Sequence, residues 1–172
     1  QLTAGRDKHY AFGIANGLIS NGLFLDIIGG NDLDGSNWHE TPRVRFLNLR
    51  GDMREDASLQ AKVLRVFIYY TRLILYAATA KPKIFHILWN NKFETFDRIP
   101  LMLYYKLMGK KSVLTVHNVN MGERDANDSW FNHMTLKVQY QLADHLFVHT
   151  DKMNLQLIEE FGVSASAITV IP

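Results

Sequence analysis

Cysteine is absent from the chain. That excludes disulfides, thiolate zinc sites and cysteine nucleophiles, and it permits a reducing compartment, of which the cytoplasm is the simplest. An excess of charge of one sign is missing too. Lys and Arg number 19 against 17 Asp and Glu, a formal net charge of +2, and the basic residues are scattered. Such a balance gives no footprint for nucleic acid. No apolar run reaches the roughly 20 residues of a membrane span, because Arg65 and Arg72 interrupt the most apolar region and Lys81 closes it. The start carries no charged-then-apolar leader, although Gln1-Leu2-Thr3 reads as the tail of a strand. Both G-x-G-x-x-G and G-x-x-x-x-G-K-[ST] are missing, which removes the main support for dinucleotide and P-loop readings.

What is present is an ordinary globular composition, 47% hydrophobic and 21% charged over 172 residues, enough to bury a continuous core. Apolar residues at helical spacing run from Tyr10 to Ser20, stopped by Asn21-Gly22, and the buried-strand pattern Leu23 to Ile28 opens into a long polar loop at Gly29-Gly30. A second strand is expected over Val44 to Leu49 and a long helix over Ser58 to Ala78. In that helix Leu59, Val63, Val66, Phe67, Tyr70, Leu73, Ile74 and Ala77 form the apolar face, with Lys62, Arg65, Tyr69 and Arg72 opposite. Strands are then expected at Ile84 to Trp89, Ser112 to His117, His145 to His149 and Ile168 to Ile171. Helices lie between them at Ile99 to Met108, Phe131 to Leu142 and Asp151 to Phe161, and Val119 to Ser129 is a polar connection. Strands alternating with helices specify an α/β fold, doubly wound, with a mostly parallel sheet and helices on both faces. Without repeats, low-complexity segments or an internal linker, residues 1–172 read as one domain.

Ligands of open α/β sheets gather beyond the carboxyl ends of the strands, which selects Ala4 to His9, Gly29 to Trp38, Trp89 to Phe93 and His117 to Asn127. In the first, Gly5 allows a tight turn while Arg6 and Lys8 bring positive charge to a helix N-terminus, a setting for phosphate or sugar oxygens. A solvated turn with Asp7 as the helix cap is the plainer alternative. Gly13-x-x-x-Gly17 reads as close helix packing against the sheet. His117-Asn118 ends an apolar strand where a ligand-facing pair belongs. An imidazole there can bond a sugar hydroxyl or a diphosphate oxygen, and an amide offers both donor and acceptor; a bond within its own loop is the other reading of His117. Trp89 is suited to stack on a sugar or to pack in the core, with Asn90 beside it. Arg124 would supply charge to a phosphate or carboxylate, or simply be solvated.

His145-x-x-x-His149 is not a metal pair: on a strand the two lie about 13 Å apart, so core or rim hydrogen bonding is expected. His86 reads as a buried, satisfied histidine. The basic face of the long helix allows peripheral contact with an anionic membrane, although any helix that covers a sheet has the same two faces.

His86-Ile87-Leu88-Trp89 followed by Gly109-Lys110-Lys111-Ser112-Val113-Leu114-Thr115-Val116-His117-Asn118 resembles family 4 glycosyltransferases. Leu142 to Thr150, Phe161-Gly162-Val163 and Ile168-Thr169-Val170-Ile171-Pro172 are similar to the end of that family's N-terminal domain. The resemblance implies the N-terminal half of a GT-B fold, in which two Rossmann-like domains face each other across a cleft. It implies a retaining transferase without a required metal, acting on a nucleotide-sugar held by a C-terminal domain in cis and on a glycan or lipid-linked acceptor. That places it in polysaccharide biosynthesis in the cytoplasm or at the inner face of the membrane. His117 takes the place of the histidine that contacts the transferred sugar, and Gly5 falls in the loop near the donor phosphates, though without the family's paired glycines. No cofactor is expected in this domain, and the isolated chain is expected to be inactive. A GT-B-like epimerase or phosphorylase, or a non-catalytic Rossmann-type binding domain, remains the alternative.

Overall fold

The computed structural model describes residues 2–3, 8–52, 58–91, 93–124 and 128–171. The chain divides into two compact units, Gln1–Lys83 and Ile84–Pro172. Each is built from parallel strands flanked by helices, the Rossmann-like α/β arrangement anticipated from the alternating pattern.

In the first unit the elements are β1 (Leu2–Thr3), α1 (Lys8–Ser20), β2 (Leu25–Gly29), α2 (Ser36–Glu40), β3 (Val44–Asn48) and α3 (Leu59–Thr79). β2 is central, parallel to β1 on one side and β3 on the other. All five of its residues are buried, which is why its sequence is continuously apolar except at Asp26. Asp26 is opposite Arg45 in the β2–β3 register. Its carboxylate accepts from Arg45 Nε at 2.9 Å, from the Arg45 terminal nitrogen and from the Tyr76 hydroxyl at 2.6 Å. Burial opposes the charged carboxylate, yet these donors outweigh it and hold its pKa below the usual carboxylate value, while burial and Asp26 raise that of Tyr76.

Three sequence expectations change here. The loop after β2, read as long and polar, is partly buried. It contains α2, where Trp38 is 2% exposed, stacks on Phe12 with centroids 4.1 Å apart, and donates to Leu33 O at 2.9 Å. Gly13 and Gly17 do not mediate close packing: a Cβ on either would meet nothing within 4 Å. Ala11 and Ala15 occupy the buried side of α1 instead. On α3 the buried residues are Tyr69, Tyr70, Leu73 and Ala77, whereas Leu59, Val63 and Phe67 are exposed. The apolar residues of α3 spread around more than one face, so periodicity alone assigns Tyr69 to the wrong side. No helix among the described residues is long and apolar enough to cross a membrane.

The second unit comprises β4 (Ile84–Ile87), α4 (Glu94–Phe96), a π-helical turn (Asp97–Leu101), α5 (Met102–Leu107), β5 (Lys111–Thr115), α6 (Met121–Arg124), α7 (Trp130–Leu142), β6 (His145–Val148), α8 (Asp151–Glu159), a 3₁₀ turn (Ala165–Ala167) and β7 (Ile168–Val170). The strands pair in parallel in the order β4-β5-β6-β7. The first helical stretch begins at Glu94 rather than Ile99, and Pro100 sits inside the wide π turn. A proline has no N–H to give, and a locally widened helix accommodates the missing bond. Gly109 (φ 68°) and Gly162 (φ 67°) end α5 and α8 in the left-handed conformation that costs glycine little. Ser129 and Thr150 cap α7 and α8 by accepting from Asn132 N and Met153 N. Leu114, Val116, Leu136, Leu146, Val148, Leu157 and Phe161 form the core between the sheet and these helices.

Candidate functional site

β4, β5 and β6 run parallel, so their carboxyl ends share one edge of the second unit. The register pairs Thr115 with Phe147; two residues further along each strand stand His117 and His149. β4 pairs Ile87 with Leu114, and the chain bends after Ile87, which brings Trp89 to His117 although the register alone would place it opposite Val116. A row of rings from three separate segments results. Trp89 stacks on His117 with centroids 4.8 Å apart and planes 5° from parallel. The His117 and His149 rings are 5.2 Å apart, with His149 Nε2 at 3.3 Å from His117 Nδ1. His149 Nδ1 lies 3.3 Å from the carbonyl oxygen of Ile171, the residue that follows β7. His117 is exposed, and Trp89 and His149 are half-buried.

Beneath this row, His86 is 9% exposed and shares a 2.8 Å hydrogen bond with Thr115 Oγ1. Burial foremost, and then neighbouring positive charge that includes His117, lower its pKa to about 4. His86 is therefore a neutral, satisfied core histidine near neutral pH, as its place inside an apolar strand suggests. His145 bonds Thr169 Oγ1 at 2.9 Å, apart from the His149 contacts, so the two histidines of H-x-x-x-H act separately. No cluster of three or more His, Asp or Glu placed to hold a metal ion occurs among the described residues.

Asn90 does not join the ring row through its amide: it donates to Gln139 Oε1 at 3.2 Å and accepts from Gln139 Nε2 at 2.7 Å, tying the post-β4 loop to α7. Asn118 Oδ1 accepts from Asn120 N at 3.1 Å, shaping the turn after β5. Lys8 opens α1 in the first unit and is exposed. Gly5 and Arg6 lie outside the described residues. Arg124 is the last residue of α6, and its side chain is outside the described part.

Asn120 and Asp128, in the connection after His117, belong to a hydrogen-bond network. Asn120, 4% exposed, donates to Asp128 Oδ2 at 2.7 Å and accepts from Asn132 Nδ2 at 3.0 Å. Asn132 in turn accepts from Arg98 at 2.8 Å, and Arg98 also bonds Thr135 Oγ1 at 3.0 Å and the Glu94 carboxylate. Hydrogen bonds from Asn132 and Asn120 hold the Asp128 pKa below its ordinary value. Gly122 packs so near that an added Cβ would come within 2.9 Å of Asn132 Nδ2. This network braces the segment that carries His117 and Asn118.

The sequence marked His117 and Trp89 as candidates and left His149 to core or rim hydrogen bonding. The available signal was positional: His149 ends β6 just as His117 ends β5. Arg98, Asn120, Asp128 and Asn132 gave no comparable signal, because the network joins two separate stretches, residues 94–98 and 120–135. No family model matches this chain, and no curated protein matches it.

Proposed function

We propose that this chain is the acceptor-side, N-terminal domain of a retaining glycosyltransferase resembling family 4, which moves a sugar from a nucleotide-sugar to a glycan or lipid-linked acceptor. The observation that carries the reading is the exposed imidazole of His117 at the carboxyl end of β5, flanked by Trp89 and His149. It stands where ligands of parallel α/β sheets gather, on the residue that the resemblance assigns to the transferred sugar.

The chemistry fits such a residue. Sugar transfer with retention requires a departing nucleotide diphosphate and an oxocarbenium-like sugar to be stabilised, which calls for preorganised polar groups in place of a strong nucleophile. Trp89 holds one face of the imidazole and His149 holds its edge, so His117 meets a sugar hydroxyl with little reorganisation. The nucleotide-sugar would be bound by a C-terminal domain in cis, with the acceptor on the side contributed here.

The test is an assay of the full-length gene product with a panel of nucleotide-hexoses and a glycan or lipid-linked acceptor. The expected result is release of nucleoside diphosphate with the anomeric configuration retained. His117→Ala should lower kcat by roughly 100-fold, the scale of one lost transition-state contact, while the protein still unfolds cooperatively, with a melting temperature lowered only by the loss of the Trp89 stack. Wild-type activity in that variant, or no consumption of any nucleotide-sugar by the full-length protein, overturns the reading. Turnover of a nucleotide-sugar without acceptor would favour the epimerase alternative.

A further inference from the structure

We infer that the outer face of α3 is an interfacial surface that lies on an anionic lipid membrane, with Phe67 and Leu75 at the boundary between headgroups and acyl chains. A helix that covers a sheet is expected to turn a polar side to water, and α3 turns an apolar one. Leu73 and Ala77 are fully buried. At about 3.6 residues per turn, Leu64, Ile68 and Leu75 fall on the side opposite them, with Phe67, Thr71 and Ala78 alongside. All six are exposed, Phe67 at 70%, Leu75 at 62% and Leu64 at 58%. Thr71 adds little polarity, because its hydroxyl donates to the Phe67 carbonyl at 2.9 Å. The result is a continuous stripe about four turns long, and contiguous apolar surface, unlike single exposed residues, marks an interaction site.

Charge identifies the occupant. From Leu59 to Lys83 the chain carries Lys62, Arg65, Arg72, Lys81 and Lys83 and no Asp or Glu. Arg72, Lys81 and Lys83 are exposed, while Arg65 is half-buried and donates to the Asp52 carbonyl. Arg65 and Arg72 follow one edge of the stripe, three residues before and four after Ile68, and Lys81 and Lys83 lie just beyond the end of the helix. An apolar stripe edged by cations alone suits an anionic lipid surface, where apolar side chains enter the acyl boundary and long cationic ones reach the headgroups. A second copy of the chain fits worse. Pairing through the same stripe would bring Arg65 and Arg72 of both helices together with no carboxylate on either. The described helices, α3 included, are not long and apolar enough to cross a bilayer, and the contact is therefore interfacial.

The basic residues of α3 by themselves did not separate a membrane contact from an ordinary helix covering a sheet. The apolar outer side does. The surface belongs wholly to the first unit and does not rest on the transferase reading.

The experiment is co-sedimentation of the 172-residue chain with vesicles of equimolar phosphatidylcholine and phosphatidylserine, and with vesicles of phosphatidylcholine alone. Binding to the first should exceed binding to the second by roughly tenfold or more and weaken as salt is raised. No binding to the anionic vesicles, or equal binding to both kinds, overturns the proposal without need of any variant. Phe67→Gln and Leu75→Gln, at positions already exposed, should each lower partitioning by roughly tenfold while cooperative unfolding is retained. Arg72→Gln should lower it by about fivefold, the effect of one cation at such a surface. Undiminished binding in all three variants overturns the assignment to α3. Because the chain has no cysteine, Leu64→Cys and Leu75→Cys each accept a single spin label. On anionic vesicles both labels should be shielded from a water-soluble paramagnetic relaxant, and a label that stays open to water overturns the proposal. A lipid-free dimer that Phe67→Gln dissociates assigns the stripe to a second copy and overturns it equally. Vesicle binding is read without turnover, so its failure and that of the transferase assay are distinct.

Discussion

The indole of Trp89 lies flat on the imidazole of His117, 4.8 Å between centroids and 5° between planes, although the two residues belong to different strand-end loops. Stacked aromatic pairs contribute about 1 kcal/mol beyond their burial. A double-mutant cycle of Trp89→Leu and His117→Leu should therefore show a coupling energy of about 1 kcal/mol in urea denaturation. Additive effects of the two substitutions would mean that the rings are neighbours without interacting.

His86 predicts a pH dependence with a definite sign. Its folded pKa is about 4, below the ordinary histidine value of about 6.5. Between those values the unfolded chain binds more protons than the folded one, so stability falls as pH drops through that window and stops falling on this account near pH 4. The full difference corresponds to about 3 kcal/mol. His86→Gln, which can still bond Thr115, should lose distinctly less stability than wild type between pH 7 and pH 4.5. Equal losses in the two proteins would show that another group is responsible.

Asp26 and Asp144 act in a lower window. Donors hold both carboxylates below their ordinary value against the opposing effect of burial: Arg45 and Tyr76 for Asp26, Lys111 and the Ser112 amide for Asp144. The stability they confer is complete above the unfolded carboxylate pKa and is lost as pH falls below about 4. Asp26→Asn should flatten the acid limb of a stability profile below pH 4 while leaving the pH 7 to 4.5 segment parallel to that of wild type.

Asn90 and Gln139 exchange two hydrogen bonds, and Gln139 is 1% exposed. Replacing one partner leaves a buried amide unsatisfied, at a cost of about 1–3 kcal/mol. Asn90→Leu, which leaves the buried Gln139 amide unpaired, should destabilise by about that much, and Gln139→Leu, which leaves the half-buried Asn90 within reach of solvent, by less. The double variant should lose less than the sum, because the second substitution removes the group that the first left unpaired.

The glycines divide by what surrounds them. Gly13→Ala, inside α1 with open space at the Cβ position, should stabilise the protein by about 1 kcal/mol. Gly30→Ala would place a Cβ 2.9 Å from Asp32 Oδ1 and 3.0 Å from the Gly51 carbonyl, and should destabilise by about 1–3 kcal/mol. Thermal melts of the two variants should move in opposite directions.

The amino-acid sequence by itself determined the alternation of strands and helices, since a core between parallel strands and covering helices requires short apolar stretches such as those within Leu25–Gly29 and His145–Val148. It also marked His117 and Trp89, because both stand where an apolar run stops. Local patterning could not assign the α3 face that buries Tyr69, nor could it tell that Gly13 packs against nothing. Those outcomes depend on which neighbour each helix meets. Nor could it show that His149 completes the row with His117, or that Asn90 is taken up by Gln139. Register between strands far apart in the chain decides the first, and the approach of α7 to the loop after β4 decides the second. A hydrogen bond needs its partner within about 3 Å, and only the tertiary structure sets which groups meet at that range.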